Sequence, residues 1–324
     1  MLVLGLQGSP KKSGSSDYLL KYFLAEIKKM GVDVQMLDIA QMDIHPCIGC
    51  GYCEKKGRCV IDNDDMAKTI YPLLRKAQVV VASSPVFFYS VTAQLKALID
   101  RTQALWSRKY RFRLSDPLST TRKGFFLSMG GSRGKKLFDG IHLVATYFFD
   151  AIDAGFNGSL TYPGIETPAD FQSKQHLGVE ISKASHALMS SLLKRKRVLF
   201  LGRQNDIRTQ MADALMRYHA GSRFHVVSAG EDEPAQTIHP GVLEAMTEIG
   251  IDVAFHQPRS YSKTIQEYRP DIIIRMDKNI ERPEIPGVRT GVWDLADPLD
   301  PSFELIVKLR EQIRENITGM ITEK

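Results

Sequence analysis

A chain of 324 residues is long for one domain and comfortable for two, and 43% hydrophobic with 25% charged residues is the balance of an ordinary soluble globular protein. No apolar run approaches the length of a membrane span, and the opening run 1–6 is too short, and lacks the basic flank, to be a signal peptide. Membrane classes are therefore excluded and a soluble, cytoplasmic protein is expected. The formal charge of +6 is mild for this length and suits anionic cofactors at least as well as nucleic acid.

In chain order, residues 2–6 form a short apolar run that stops at Gln7-Gly8-Ser9-Pro10, which reads as a buried strand ending in a turn. Lys11-Lys12-Ser13-Gly14-Ser15-Ser16 follows, then an amphipathic helix with Tyr18, Leu19, Phe23 and Ile27 on its apolar side. A strand, a hydroxyl- and glycine-rich loop and a helix start make an anion cradle, because the loop supplies N–H and O–H donors and the helix adds partial positive charge. The loop is neither a Walker A loop nor a G-x-G-x-x-G turn.

Residues 32–37 read as a second strand, and behind it stand all four cysteines of the chain: Cys47, Cys50, Cys53 and Cys59, spaced C-x2-C-x2-C-x5-C. Four thiolates on one glycine-bearing loop can converge on one soft metal centre, and the C-x2-C-x2-C run is of the kind that wraps a cubane 4Fe–4S cluster. Three alternatives stand beside the cluster. A structural zinc site usually pairs two C-x2-C knuckles across a longer gap. Disulfides between C-x2-C neighbours are strained, and nothing directs export. A reduced loop that merely packs would hold no metal at all.

Residues 65–75 read as a helix and 77–82 as a third, fully buried strand, at whose end lies Ser83-Ser84-Pro85-Val86-Phe87-Phe88-Tyr89-Ser90. A helix through Leu95, Leu98 and Ile99 follows. The run Arg108-Lys109-Tyr110-Arg111-Phe112-Arg113 interleaves basic and aromatic residues, as a nucleic-acid groove does, but no nucleic-acid fold signature accompanies it. It reads instead as an exposed ribbon or loop, or as part of an oligomer contact. Residues 124–129 give a fourth strand ending in Gly130-Gly131-Ser132, residues 155–162 a fifth, and residues 171–193 a long closing helix. Alternating strands and helices imply a parallel sheet covered on both faces, with ligands outside the carboxyl ends of the strands. A phosphate at the serine loop, a flat ring against the aromatic loop and close backbone approach at the Gly-Gly-Ser loop describe a flavin mononucleotide.

Residues 1 to about 193 resemble the iron–sulfur flavoprotein branch of the NADPH-dependent FMN reductase family, a flavodoxin-like fold. The residues carrying the likeness are Gly8-Ser9-Pro10-Lys11-Lys12-x-Gly14, the four spaced cysteines, Ser84-Pro85-Val86, and Thr92-Ala93-Gln94-Leu95-Lys96-Ala97-Leu98-Ile99-Asp100-Arg101. The resemblance implies that Ser9, Lys11, Ser13, Ser15 and Ser16 hold the FMN phosphate. It puts Pro85, Val86, Phe87, Phe88, Tyr89 and Ser90 along the isoalloxazine ring, with Gly130 and Gly131 beside it. Two positions depart from the family: Phe87 replaces an aromatic hydroxyl, and Tyr89 replaces the glycine before the serine. Both bear on how the ring is held. The resemblance also implies a homo-oligomer in which cluster and flavin face each other across a subunit boundary.

The basic run Lys194-Arg195-Lys196-Arg197 reads as a solvated helix end, after which residues 198–201 restart the alternation. Gly202-Arg203-Gln204-Asn205-Asp206-Ile207-Arg208-Thr209 follows, then a helix with Met211, Leu215 and Tyr218, a strand over 225–230, a helix from His239-Pro240 to Gly250, a strand over 271–274, and the turn Trp293-Asp294-Leu295-Ala296-Asp297-Pro298. This half resembles the low-molecular-weight tyrosine phosphatase and arsenate reductase family through Arg208-Thr209, Ser228-Ala229-Gly230, Gly250-Ile251-Asp252 and Asp297-Pro298. That chemistry needs a cysteine six residues before the arginine, to attack phosphorus or arsenic. Gly202 stands there, and no cysteine exists beyond Cys59. The domain is expected to be dead as a phosphatase or thiol-dependent arsenate reductase. Gly202, Asn205, Arg208 and Thr209 could still form a nest of donors for an oxyanion.

The expected architecture is therefore α/β: two doubly wound parallel-sheet domains, a flavodoxin-like one over 1–193 and a phosphatase-like one over 197–324. The leading functional reading is an oxidoreductase in which the cluster takes electrons from a donor such as ferredoxin or NAD(P)H and FMN passes them to a small-molecule acceptor. One alternative is an NAD(P)H-dependent FMN or quinone reductase without a cluster. The other is a redox-responsive protein that binds an anion or partner through its second domain.

Overall fold

The computed structural model describes residues 1–280, 285–297 and 301–322, so Pro298 of the expected Asp297-Pro298 marker lies outside the described residues. The chain divides into two compact units: Met1–Arg113 with Thr121–Ser191, and Leu114–Thr120 with Leu192–Lys324. Residues 114–120, which the sequence boundaries place in the first domain, thus belong with the second unit. There Ser115 donates its N–H to the Gly250 carbonyl at 2.8 Å and accepts from the Asp252 N–H at 2.9 Å.

The first unit is built on a five-stranded sheet of β1 (Leu2–Gln7), β2 (Asp33–Asp38), β3 (Val79–Pro85), β4 (Lys123–Gly130) and β5 (Gly155–Pro163). Its order is β2-β1-β3-β4-β5 and every pairing is parallel, as expected for a flavodoxin-like sheet. Strands buried on both faces read as unbroken apolar runs, and Val79, Val80, Val81 and Ala82 are all fully buried. The helix Ser15–Lys28 turns Leu19, Leu20, Phe23, Leu24 and Ile27 inward. Each such side chain contributes about 1.5–3 kcal/mol of burial.

Several expected elements differ in detail. The segment 65–75 opens with a wide turn over Met66–Ile70 before the α-helix Tyr71–Lys76. The closing helix runs Leu177–Leu193, behind a tight 3₁₀ turn at Pro168–Ser173. The basic–aromatic run is helical in its first half, where Gln103–Tyr110 continues through Arg108, Lys109 and Tyr110, and an exposed loop over 111–113, as expected. Three of its four charges meet partners within the unit, Arg108 on the Gly57 carbonyl (3.1 Å), Lys109 on Asp150 (2.8 Å) and Arg111 on Glu54 (3.6 Å).

The second unit has β6 (Lys196–Gly202), β7 (Phe224–Gly230), β8 (Ile272–Arg275) and β9 (Arg289–Val292), all parallel in the order β7-β6-β8-β9. The helix Arg208–Ala220 packs against Phe303–Thr322 through Met211, Leu215, Ile306, Leu309 and Ile313. The basic run is not a solvated helix end. Lys196 and Arg197 open β6, and Arg195 is buried, donating to the Leu192 and Gly221 carbonyls. Burial lowers the Arg195 guanidinium to a pKa of about 10.

Candidate functional site

The strand order makes β1, β3 and β4 consecutive neighbours, so the loops after them share one edge of the sheet. The serine loop is held by its own side chains. Gln7 Oε1 accepts from the Ser9 N–H at 2.6 Å, Gln7 Nε2 donates to the Ser9 carbonyl at 3.1 Å, and Ser9 Oγ accepts from the Lys11 N–H at 3.2 Å. Gly8 ties the loop to the end of β3, donating to the Ser83 carbonyl at 2.8 Å and accepting from the Thr92 hydroxyl. Lys11 and Ser13 are exposed, while Ser15 and Ser16 are buried in the first helical turn.

The two buried serines differ. Ser16 Oγ donates to Met129 Sδ at 3.0 Å, which turns it inward, whereas Ser15 Oγ is buried with no partner at all. Buried polar atoms nearly always have partners. An unpaired hydroxyl at the positive end of a 14-residue helix fits an anion, and the FMN phosphate is one.

Beyond β3, Val86 donates to the Met129 carbonyl at 2.8 Å, and Phe87 and Ser90 exchange both N–H···O bonds at 2.9 Å. The loop is a two-residue hairpin with Phe88 and Tyr89 at its tip, at φ +47° and +61°. Hairpins of this length favour positive φ at both central residues, normally with Asn and Gly there. The family's glycine at position 89 has that physical reason, and Tyr89 departs from it at a conformational cost. Pro85 and Val86 are half-buried, while Phe87 and Tyr89 are exposed and Phe88 is fully so. Gly130 ends β4, and Gly131 follows it on the surface.

The cysteine loop leaves the carboxyl end of β2. Gly49 and Gly51 take positive φ (+65° and +66°), turning the chain between successive thiols, and Cys53 sits in the short helix Tyr52–Lys56. All four cysteines are free, and all four line one cleft of about 460 Å³ together with Arg101. Among the described residues no three Cys, His, Asp or Glu side chains gather into a single-ion ligand set. A tetrahedral zinc with Zn–S bonds of about 2.3 Å would need its sulfurs within about 4 Å of one another. A cubane takes each thiolate on a different iron, so its ligands surround a larger volume. Four free thiols around one cleft are the donor set that a cluster takes, one thiolate to each iron.

In the second unit the loop from Gly202 to Arg208 runs from β6 into the helix Arg208–Ala220. A Cβ built on Gly202 would stand 2.8 Å from Thr209 Cγ2, so the threonine methyl fills the space beside the absent nucleophile. Asn205, buried at φ +59°, is a hub rather than an open donor. Its Nδ2 donates to Thr209 Oγ1 at 2.8 Å, and its Oδ1 accepts from the Arg259 N–H at 2.8 Å and from Gln210 Nε2 at 3.1 Å. Arg208 is 4% exposed, with Nη1 on the Met276 and Leu295 carbonyls and Nη2 on Asp297 at 2.6 Å. Arg203 shares the same Asp297 oxygen at 3.3 Å. The sequence puts Arg208 in a nest of donors for an oxyanion; the structure gives one edge of its guanidinium to carbonyls and the other to a carboxylate.

Residues 1–146 match the NADPH-dependent FMN reductase family, and residues 197–323 match the low molecular weight phosphotyrosine protein phosphatase family. An iron–sulfur flavoprotein of Methanosarcina thermophila is 34% identical over 145 residues, covering 44% of this chain and 71% of the relative. The chain belongs to the iron–sulfur flavoprotein family. Another iron–sulfur flavoprotein, from Methanocaldococcus jannaschii, is 35% identical over 105 residues, 32% of this chain and 53% of the relative. The chain spans about half the length of the first curated relatives it matches. An arsenate reductase of Staphylococcus haemolyticus is 26% identical over 133 residues, 40% of this chain and 99% of that one. An iron–sulfur flavoprotein half is thus followed by an arsenate-reductase-like half that lacks its cysteine.

Sequence reasoning gave no site role to Arg101, which it named only for the family likeness, or to Asp64, which together brace the cysteine loop, or to Arg203, which shares Asp297 with Arg208. Arg101 carried a readable signal. It continues the three-residue spacing of Leu95 and Leu98 on the buried face of the helix Ala93–Arg101, where a charge needs a partner.

Proposed function

We propose that this protein is an FMN-dependent oxidoreductase that moves electrons between a 4Fe–4S cluster on Cys47, Cys50, Cys53 and Cys59 and an FMN at the carboxyl edge of the first sheet. The observation that carries the reading is the Ser15 hydroxyl, buried without a partner at a helix start, on the loop beside the strand pair β1 and β3. The cluster supplies single-electron capacity and the flavin both one- and two-electron capacity. The chain's own residues do the rest. The Ser9–Ser15 loop binds the phosphate. Pro85 to Ser90 present apolar rings to a flat ligand, and Gly130 and Gly131 let backbone approach it. A reduced ferredoxin or NAD(P)H is the proposed donor, a small molecule the acceptor, and a homo-oligomer the working form. The second domain is proposed to bind an oxyanion at the loop that carries Gly202, Asn205, Arg208 and Thr209, once Arg208 is released from Asp297, without turning it over.

The test is one anaerobic preparation, assayed for FMN, iron and acid-labile sulfide per chain. One FMN with about four irons and four sulfides, and a visible spectrum showing both chromophores, is the expected result. FMN without iron would leave a cluster-free reductase. Protein that stays colourless after reconstitution with iron, sulfide and FMN would overturn the whole reading.

A further inference from the structure

Arg101 and Asp64 are each fully buried at the side chain and lie 2.6 Å apart, Nη1 to Oδ2. Neither sits on the cysteine loop itself, yet between them they hold both of its ends. Arg101 Nη1 donates to the His45 carbonyl at 2.8 Å, two residues before Cys47, and Nη2 donates to the Ile61 carbonyl at 2.9 Å, two residues after Cys59. Asp64 accepts from the His45 N–H at 3.2 Å and from the Ala67 N–H at 3.1 Å. The Tyr71 hydroxyl donates to the Arg101 carbonyl at 2.6 Å and fixes the helix end from below.

A buried ion pair is poor evidence of a stability role, because desolvating two charges offsets most of their attraction. What this pair supplies is geometry. The two Nη nitrogens of a rigid planar fork each meet one carbonyl and the carboxylate from fixed directions, a geometry that the single nitrogen of a lysine does not reproduce. One donor is then left over: Arg101 Nε is buried and has no partner, on a side chain that lines the same cleft as the four cysteines. A buried N–H without an acceptor calls for one, and hydrogen bonds to sulfur are among the determinants of iron–sulfur potentials.

We propose that Arg101 is the positioning residue of the cysteine site: its two Nη groups clasp the loop ends with Asp64, and its Nε–H donates to sulfur bound in the cleft. The proposal rests on the cluster reading above. Such a bond stabilises the more negative, reduced state, so losing it moves the reduction potential down.

The experiment compares wild type with Arg101→Lys, which keeps the charge opposite Asp64 but loses the fork and Nε. Three quantities are measured: hydrogen exchange of residues 43–65 in metal-free protein, iron per chain after reconstitution, and the cluster midpoint potential. Arg101→Lys should exchange faster in that segment alone, load less iron, and show about a tenfold lower reduced-to-oxidised ratio at fixed potential, about 59 mV for a one-electron couple. Should Arg101→Lys fail to fold by far-UV dichroism, the neutral pair Asp64→Asn with Arg101→Gln replaces it, with the same expectations. Iron content and potential both equal to wild type would overturn the proposal. Wild type that takes up no iron would instead overturn the cluster reading, and unchanged exchange in the metal-free variant would then remove the clasp as well.

Discussion

Asp297 Oδ2 stands 2.6 Å from Arg208 Nη2, so the arginine expected to meet an oxyanion already holds a carboxylate. Burial raises the Asp297 pKa, outweighing the pull of Arg208 and Arg203, and protonation as pH falls would release Arg208 sooner than for an ordinary aspartate. Sulfate keeps a fixed charge across this range and so reports the protein alone. Its affinity should rise as pH drops through the Asp297 titration. Asp297→Asn should bind sulfate about tenfold more tightly at neutral pH, about 1.4 kcal/mol, and lose that pH dependence. Calorimetry checks both. No heat in either protein would remove the oxyanion site from this domain.

Ser15 offers a cleaner separation of folding from binding. Its hydroxyl is buried without a partner, and such a group costs about 1–3 kcal/mol relative to an apolar one. Ser15→Ala should therefore leave the cofactor-free protein as stable as wild type or about 1 kcal/mol more so. FMN affinity should fall about tenfold, read by titration of flavin fluorescence. A destabilised apo protein with unchanged FMN affinity would mean that the hydroxyl serves the fold instead.

Much of this was legible in the sequence because strands buried on both faces leave unbroken apolar runs, as in Val79 to Ala82, and because Cys47 to Cys59 have nothing else to mask their spacing. What escaped notice failed to produce such runs. β9 is Arg289-Thr290-Gly291-Val292, an edge strand with exposed side chains and no apolar signature. Residues 114–120 join the second unit through backbone bonds of Ser115, which no side-chain pattern encodes. The state of Arg208 depends on Asp297, 89 positions later, and pairings at that separation are set by the fold. The helix Phe303–Thr322 was readable in principle from Ile306, Leu309, Ile313 and Ile317, whose spacing is helical.

Acid should loosen the cysteine loop before the sheet. Burial alone would raise Asp64, but the bond from Arg101, the N–H groups of Ala67 and His45 and the charge of Arg101 together leave it below its ordinary value of 3.8. A depressed carboxyl contributes stability that is complete above the unfolded pKa and is lost as pH falls through the lower, folded one. The brace on His45 and Ile61 should therefore be intact above about pH 4 and weaken below it. Hydrogen exchange in metal-free protein at stepped pH would show it, with residues 43–65 opening while β1 and β3 stay protected. In Asp64→Asn the acid step should vanish and the loop should exchange faster at neutral pH.

The hairpin tip makes the sharpest case for a local cost kept for function. Phe88 and Tyr89 both hold positive φ, where bulky residues are strained by about 1–2 kcal/mol each and glycine is not. The carbonyl–amide pairs between Phe87 and Ser90 would survive replacement, since both bonds are made by backbone. Phe88→Asn with Tyr89→Gly should stabilise the apo protein by about 1–2 kcal/mol, after some loss to the unfolded-state freedom of glycine. Because the same change removes two exposed rings from the proposed flavin face, FMN should dissociate faster and bind about tenfold more weakly. Denaturant midpoints and stopped-flow release of FMN measure the two effects separately. A variant both less stable and equally tight for FMN would show that the strain, and the rings, serve neither the hairpin nor the cofactor in the way argued from Tyr89.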